Sequence, residues 1–321
     1  MSLPSTESPA TRTPDRTPDR MPDTAGAAAS GQAGSTHPPA EAESGSGEGR
    51  APLPQPGGWW HGRFLRAIVG AEHMTLEIRS NGRSQQLLKQ VVLDYLELEP
   101  APDPPHPADL AAALCALPPA IARLQEEMAG TGIGLRGLAC DVIIDDSWML
   151  YDVVRADLRS LAPRAADALI GASLADIAGV PPAALASRWH SQGDHERTLA
   201  CALPVGTLLQ LQQALQPHRI AIGVLEGEFV HEFNRARDRI DPRCSVIAVV
   251  RSAGAQLGVL IDGAIASMSF EFGVGTHKEL ELRGRGLLRA AGGSEACVRF
   301  YAASLPSRRA PEPWIPLAAV A

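Results

Sequence analysis

Residues 245–271 read SVIAVVRSAGAQLGVLIDGAIASMSFE. Ser245–Val250, Gln256–Ile261 and Ala264–Glu271 are short runs rich in small and β-branched apolar residues, which predicts three strands in succession. Asp262-Gly263 lies between the last two, and an Asp-Gly pair between apolar runs predicts a tight hairpin turn, because both central residues of that turn need positive φ. Before this meander stand a strand over Ile220–Val224 and a helix over Glu228–Arg239. After it come a helix over about Lys278–Ala290 and a strand through Val298–Tyr301.

The same succession occurs earlier in the chain. Phe64–Val69 and Met74–Arg79 read as strands, and Ser80-Asn81-Gly82-Arg83 as a turn into a third strand through Leu87–Leu98. Pro100–Pro107 is a proline-rich connector. Leu110, Leu114, Leu117, Ile121 and Leu124 then recur at three- and four-residue steps, which predicts one helical stripe over Ala108–Ala129, broken near its middle by Pro118-Pro119. Leu138–Ile144 and Trp148–Val154 read as a hairpin around Asp145-Asp146-Ser147. A helical stretch at Arg164–Ala178, a short helix from Pro181-Pro182, a strand at Thr198–Leu203 and a helix at Gly206–Leu215, closed by Pro217, complete the middle of the chain. Strands alternate with helices throughout, so the class is α/β.

Composition divides the chain. Residues 1–58 are rich in Pro, Ser, Thr, Gly and Ala, repeat Thr-Pro-Asp-Arg at 13–16 and 17–20, and contain almost no Leu, Ile, Val or Phe. Such a segment buries too little apolar surface to offset its ordering entropy, so a disordered tail is expected, or an arm that tethers a partner. Pro306–Pro316 reads as a Pro-rich C-terminal tail. The formal net charge of −7 argues against general nucleic-acid binding, which needs a basic surface. No run approaches the roughly 18 apolar residues of a membrane span, and no basic segment followed by an apolar one opens the chain. A cytoplasmic protein is expected, peripheral to a membrane only through a partner. Five cysteines stand at no metal or redox spacing and read as small apolar residues in a reducing compartment.

Four clusters are candidates for chemistry. Asp141, Asp145 and Asp146 could bind metal or work as acid and base, although Asp and Ser are also ordinary turn residues. His190, Asp194, His195 and Glu196 could ligate a metal, or fill a polar loop before Thr198. Glu228, His231 and Glu232 share a helical face, but Arg235 stands where a zinc-protease motif needs its second His. Arg283, Arg285 and Arg289 make a basic patch that could meet an acidic partner or lipid head group, or simply form a helix surface. No Walker loop, Gly-x-Ser-x-Gly or dinucleotide fingerprint is present. No catalytic residue and no metal ligand is assigned.

Two successive units of hairpin, strand, helix and strand resemble the lobes of an actin-like, ribonuclease-H-like fold. The order is similar to that of the PilM pilus-assembly family and of the GspL cytoplasmic domain over roughly residues 64–303. Residues 133–144 followed by Trp148–Arg155, Leu199–Pro204 with the helix after it, Ile220–Leu225 with Glu228–Arg237, and Ser245–Gly258 through Asp262-Gly263 to Phe272-Gly273-Val274-Gly275 carry the resemblance. It implies two lobes with mixed sheets flanked by helices, a first over 59–195 with an inserted helical region and a second over 196–305.

In such folds one hairpin turn per lobe, normally with Asp, Gly and small hydroxyl residues, wraps phosphate and supports a metal-bound water. Here the first turn is Val69-Gly70-Ala71-Glu72-His73 and the second Val249-Val250-Arg251-Ser252-Ala253-Gly254-Ala255. Gly70, Ser252 and Gly254 are the positions that could meet a nucleotide. Both turns lack the acid, and Arg251 stands where the second would be. The resemblance therefore implies no required cofactor, leaves weak binding of ATP and Mg²⁺ open, and disfavours hydrolysis. It implies a scaffold docked on the cytoplasmic segment of an inner-membrane assembly protein, with a second copy of the chain as a further partner. The alternatives are a divergent actin-like ATPase and a structural or regulatory protein of an unrelated system.

Overall fold

The computed structural model describes residues 62–82, 85–97, 109–194, 196–274, 276–303 and 312–317. The expected tail over 1–58, Trp59-Trp60, the 100–107 connector and His195 lie outside them.

The first lobe is built on β1 (Arg63–Val69), β2 (His73–Ser80) and β3 (Leu87–Asp94), an antiparallel meander, with β4 (Ala139–Ile144) parallel to β1. Between β3 and β4 lie α1 (Leu110–Leu114) and α2 (Leu117–Met128). The expected break falls where Pro118-Pro119 enter the first turn of α2, whose N–H groups lack helical acceptors in any case. Asp109 accepts the Ala112 N–H at 2.8 Å and caps α1. Leu117, Ala120, Ile121, Leu124 and Met128 of α2 are buried on the sheet.

After β4 the chain leaves this sheet. β5 (Leu150–Val154), α3 (Pro163–Ala178), β6 (Leu185–Ser191) and β7 (Thr198–Pro204) form a separate antiparallel sheet in the order β5-β7-β6, with α3 packed on it. It then returns through α4 (Val205–Leu215) to β8 (Ala221–Gly227), which pairs parallel with β4. The first sheet thus runs β3-β2-β1-β4-β8.

The second lobe repeats that order. α5 (Glu228–Ala236) leads to β9 (Cys244–Val250), β10 (Gly254–Ile261) and β11 (Ala264–Phe272), again an antiparallel meander. α6 (His277–Ala290), β12 (Arg299–Ala303) and β13 (Trp314–Pro316) follow, giving β11-β10-β9-β12-β13. Asp262 (φ 54°) and Gly263 (φ 79°) make the tight turn between β10 and β11 that their identities require. β9 and β10 are buried almost from end to end, as their unbroken apolar runs dictate for strands covered on both faces. Two ribonuclease-H-like sheets of identical order, flanked by helices, constitute the actin-like two-lobed α/β fold.

Four expectations are corrected. β4 and β5 are not a hairpin: a short 3-10 turn at Asp146–Trp148 carries the chain from one sheet to another. The segment around His190 is not a loop, because Leu185–Ser191 pairs along β7. The lobe boundary is not at 195/196, since α4 and β8 complete the first sheet and its core through Leu211, Leu215 and Ile220. The C-terminal segment is not wholly a tail: Trp314–Pro316 pairs with Phe300–Ala302, and Trp314 is buried against the Phe300 ring.

Candidate functional site

The two turns expected to face a nucleotide are both closed two-residue turns. In the first, the Gly70 N–H donates to the His73 carbonyl (3.1 Å), and the Tyr95 hydroxyl donates to the Gly70 carbonyl (2.9 Å). In the second, Arg251 and Gly254 exchange both backbone bonds (2.8 and 3.3 Å), leaving Ser252 and Ala253 at the tip. The N–H groups of Gly70 and Gly254 are therefore spent inside their own turns rather than aimed at an anion. Gly254 is there for space: a Cβ would run into the Glu271 carbonyl of β11. Ser252 is exposed.

Between the turns lie Asp145 and Asp146, at the end of β4. Both are buried, at 3% and 4% exposure, and are not surface turn residues. The Asp145 N–H donates to the Val69 carbonyl (2.9 Å), stitching β4 to the first turn, and its carboxylate accepts the Ser147 N–H (2.9 Å). Asp146 accepts the Tyr151 hydroxyl (2.7 Å) and the Phe229 N–H (2.8 Å), so it caps the start of α5. Burial pushes the Asp146 carboxyl up to about 7. The Tyr151 hydroxyl and the Phe229 N–H oppose the rise, Asp145 adds to it, and Arg251 opposes it. Burial also raises the Tyr151 and Tyr95 phenols.

Arg251 reaches from the second turn into this cluster. Its Nε donates to Glu228 (2.7 Å), its Nη2 pairs with the other Glu228 oxygen, and its Nη1 donates to the Val250 carbonyl (2.8 Å). Arg251 is thus not a free surface arginine, since all three guanidinium nitrogens are engaged. Burial lowers its pKa, opposed by Asp145 and Asp146. One guanidinium thus faces three carboxylates, and a phosphate brought here would meet their repulsion with the nearest cation already engaged. The Asp146 and Glu228 carboxylates and the Tyr151 hydroxyl are each engaged by a partner within the cluster. Among the described residues no group of three or more His, Cys, Asp or Glu side chains is arranged to hold a metal ion.

The remaining clusters resolve into local pairs. Asp194 pairs with Arg197, His231 with Glu226, and Glu232 with Arg235. Arg283 meets Glu271, Arg285 meets Glu281 and Glu295, and Arg289 meets Glu295, so the basic patch on α6 is neutralised. Asp141 lies in the interior of β4, and burial raises its carboxyl. All five cysteines are free, and burial raises the thiols of Cys140, Cys201 and Cys244.

A roomier opening than either turn offers lies elsewhere. Among the described residues β8 pairs only with β4, and β6 only with β7. Between these two free edges, floored by α4, lies a cleft of about 700 Å³ lined mainly by apolar groups, among them Met149, Leu203, Leu208, Leu215, Ile222 and Leu225. Sequence reading missed this cleft because β6 was not recognised. It also missed Glu228 and Tyr151 as partners of the buried acids. The available signal was two carboxylates directly after Val142-Ile143-Ile144, at the end of a strand too apolar to finish at the surface.

No protein-family model matches the sequence, and no curated protein matches it. Among solved structures, the fold is similar to the PilM–PilN type IV pilus biogenesis complex, with a TM-score of 0.50 at 10% identity over 74% of this chain and 80% of that one. A Bacteroides thetaiotaomicron protein with actin-like ATPase fold and unknown function gives 0.48 at 9% identity, covering 77% and 84%. The cytoplasmic domain of EpsL, an inner-membrane component of the Vibrio cholerae type II secretion system, gives 0.47 at 11%, covering 79% and 89%. At such identities the likeness is one of fold. Among the described residues no helix is long and apolar enough to cross a membrane.

Proposed function

We propose that this chain is a cytoplasmic scaffold without catalytic chemistry that holds an extended cytoplasmic segment of an inner-membrane assembly protein, in a pilus or type II secretion-like system. The observation that carries the reading is the apolar cleft between the free edges of β6 and β8. An unpaired strand edge offers a row of N–H and C=O groups, and an extended peptide satisfies them while placing alternate side chains in the apolar space. The likeness in fold to the PilM–PilN complex supports the choice of system. The closed turns and the Arg251–Glu228 pair support a binding role over nucleotide hydrolysis.

The test is recovery of pilus- or secretion-type membrane proteins on the full chain, compared with Ala186→Trp, which fills the cleft from β6. Wild type retains such a partner and the variant, melting at the same temperature, loses it. Recovery of none defeats the proposal. Saturable stabilisation by millimolar Mg-ATP would instead favour the ATPase alternative, since a ligand bound only by the folded state raises its stability.

A further inference from the structure

The cleft is apolar along its length but not neutral at its ends. Among the described residues no Asp or Glu lines it or the shallower pocket that adjoins it, in a chain that has 36 acidic and 29 basic residues. Arg219 lines both openings. It stands two residues before β8, its φ at 55°, its backbone N–H donating to Gln216 and its carbonyl accepting from Gly137. Arg136 and His218 line the second pocket with it, and His218 is held against Gln125 at 3.1 Å. Arg188 lines the cleft from β6, its side chain donating to the carbonyl of Ser187. Among the described residues no carboxylate is within ion-pair distance of Arg136, Arg188 or Arg219. By contrast Arg283, Arg285 and Arg289 on α6 each have one. At the other end of β8, Glu226 is paired with His231. The free edge of β8 therefore runs from a cluster of unneutralised cations to a closed ion pair.

We infer that the segment bound in this cleft is an acidic, apolar peptide, whose Asp or Glu lies at the Arg219 end of β8 and pairs with Arg219 and Arg136 while its alternate apolar side chains fill the space between β8 and β6. This rests on the peptide-binding reading above and adds the charge and polarity of the partner. An anionic amphiphile would match the cations and the apolar walls equally well. It would leave the unpaired backbone of β8 without partners, whereas an extended chain supplies them. Arginine suits the role because its fork takes a carboxylate through two hydrogen bonds at once.

The experiment is a selection of random octapeptides displayed on phage, carried out on the full chain, on the Ala186→Trp variant and on an Arg136→Glu/Arg219→Glu variant. Both arginines are exposed and pair with no carboxylate among the described residues, so the double variant should melt at the wild-type temperature. Wild type should enrich peptides with Asp or Glu at one fixed position beside alternating apolar residues. A synthetic copy with Gln at that position should bind about tenfold more weakly, and the charge-reversed protein should enrich Lys or Arg there instead. Cleft-dependent peptides without an acidic preference, or an acidic preference that survives the double reversal, would overturn the inference and leave the scaffold reading standing. No peptide enriched by the wild type over the filled cleft would overturn both. Saturable binding of a fluorescent fatty acid in the cleft with no peptide selected would transfer the cations to an amphiphile.

Discussion

The two five-stranded sheets have one order and different fates. In the second, β9 and β10 are buried on both faces, and the joining turn sends Arg251 out to Glu228 at the head of α5, the helix that links the lobes. In the first, the equivalent turn is tied inward, Gly70 to Tyr95 of its own lobe, and the path from β4 to β8 is interrupted by the third sheet and α3. The second lobe uses its turn to fix the head of α5, the same helix end that Asp146 of the first lobe caps. The first spends its crossover on making a cleft. A shared topology places the same ends together in both lobes, but the special surface arises where one copy departs from the repeat.

The comparison breaks most severely at Phe229. It is fully buried and packs from α5 over Gly258 of β10, where a Cβ would meet its ring, while its N–H is held by Asp146 of the first lobe. Phe229→Ala should cost about 3–5 kcal/mol, as large aromatic truncations in close-packed cores do. Urea unfolding measures it. A loss under about 1 kcal/mol would mean that the Phe229 ring is not part of a close-packed core.

Next is the ion pair itself. Arg251→Ala leaves Glu228, 11% exposed, without its cation. Breaking a fully buried pair costs roughly 3–5 kcal/mol. The Arg251 side chain is 26% exposed, so solvent screening reduces the expectation to about 1–3 kcal/mol. Replacing both residues with Met should recover part of the loss, because no carboxylate is then left unpaired. A double-mutant cycle with no coupling would remove the link between the second turn and α5.

Asp146 sharpens the contrast through pH. Its native pKa of about 7 lies above the ordinary value near 4 expected in the unfolded chain, so the native state binds the proton more tightly. The stability it contributes is fully present below about pH 4 and is lost as pH rises toward 7. Asp146→Asn should flatten that fall while keeping a side-chain oxygen for the Phe229 N–H. Denaturation midpoints between pH 4.5 and 8 test it, against a residual slope from Asp141, whose carboxyl burial also raises. An unchanged slope in the variant would mean that Asp146 ionises well below this window.

The antiparallel meanders of both sheets were legible from the chain because their cues are local. Asp262-Gly263 dictates its turn, and the Leu and Ile spacing of α2 dictates its buried stripe. Less legible was everything decided by a distant partner. Ser187–Ser191 contains Arg, Trp and His and shows no apolar alternation, yet it is a strand, because β7 supplies its backbone bonds. Asp145-Asp146 reads as a turn, and the burial that makes these acids unusual comes from α5 and Tyr151. Arg251 gave away its lobe but not Glu228, which sits 23 residues earlier at the start of a helix that reads as a solvated face. The cleft needed the pairing of β6, and the charge asymmetry at its mouth needed the cleft.

The smallest expected effect concerns the first turn. Tyr95 is 1% exposed, and its hydroxyl donates to the Gly70 carbonyl at 2.9 Å. Tyr95→Phe keeps the ring packed and removes only the donor. Gly70 is partly exposed, so water can reach its carbonyl, and the loss should be near 1 kcal/mol, the net worth of one hydrogen bond. Hydrogen exchange at the Gly70 amide, which donates to His73, should quicken by the same free energy if the phenol is what keeps the turn shut. Unaltered exchange would show that Gly70 and His73 hold the turn alone. In that case the two turns are alike in being self-closed and differ only in the arginine that the second one carries.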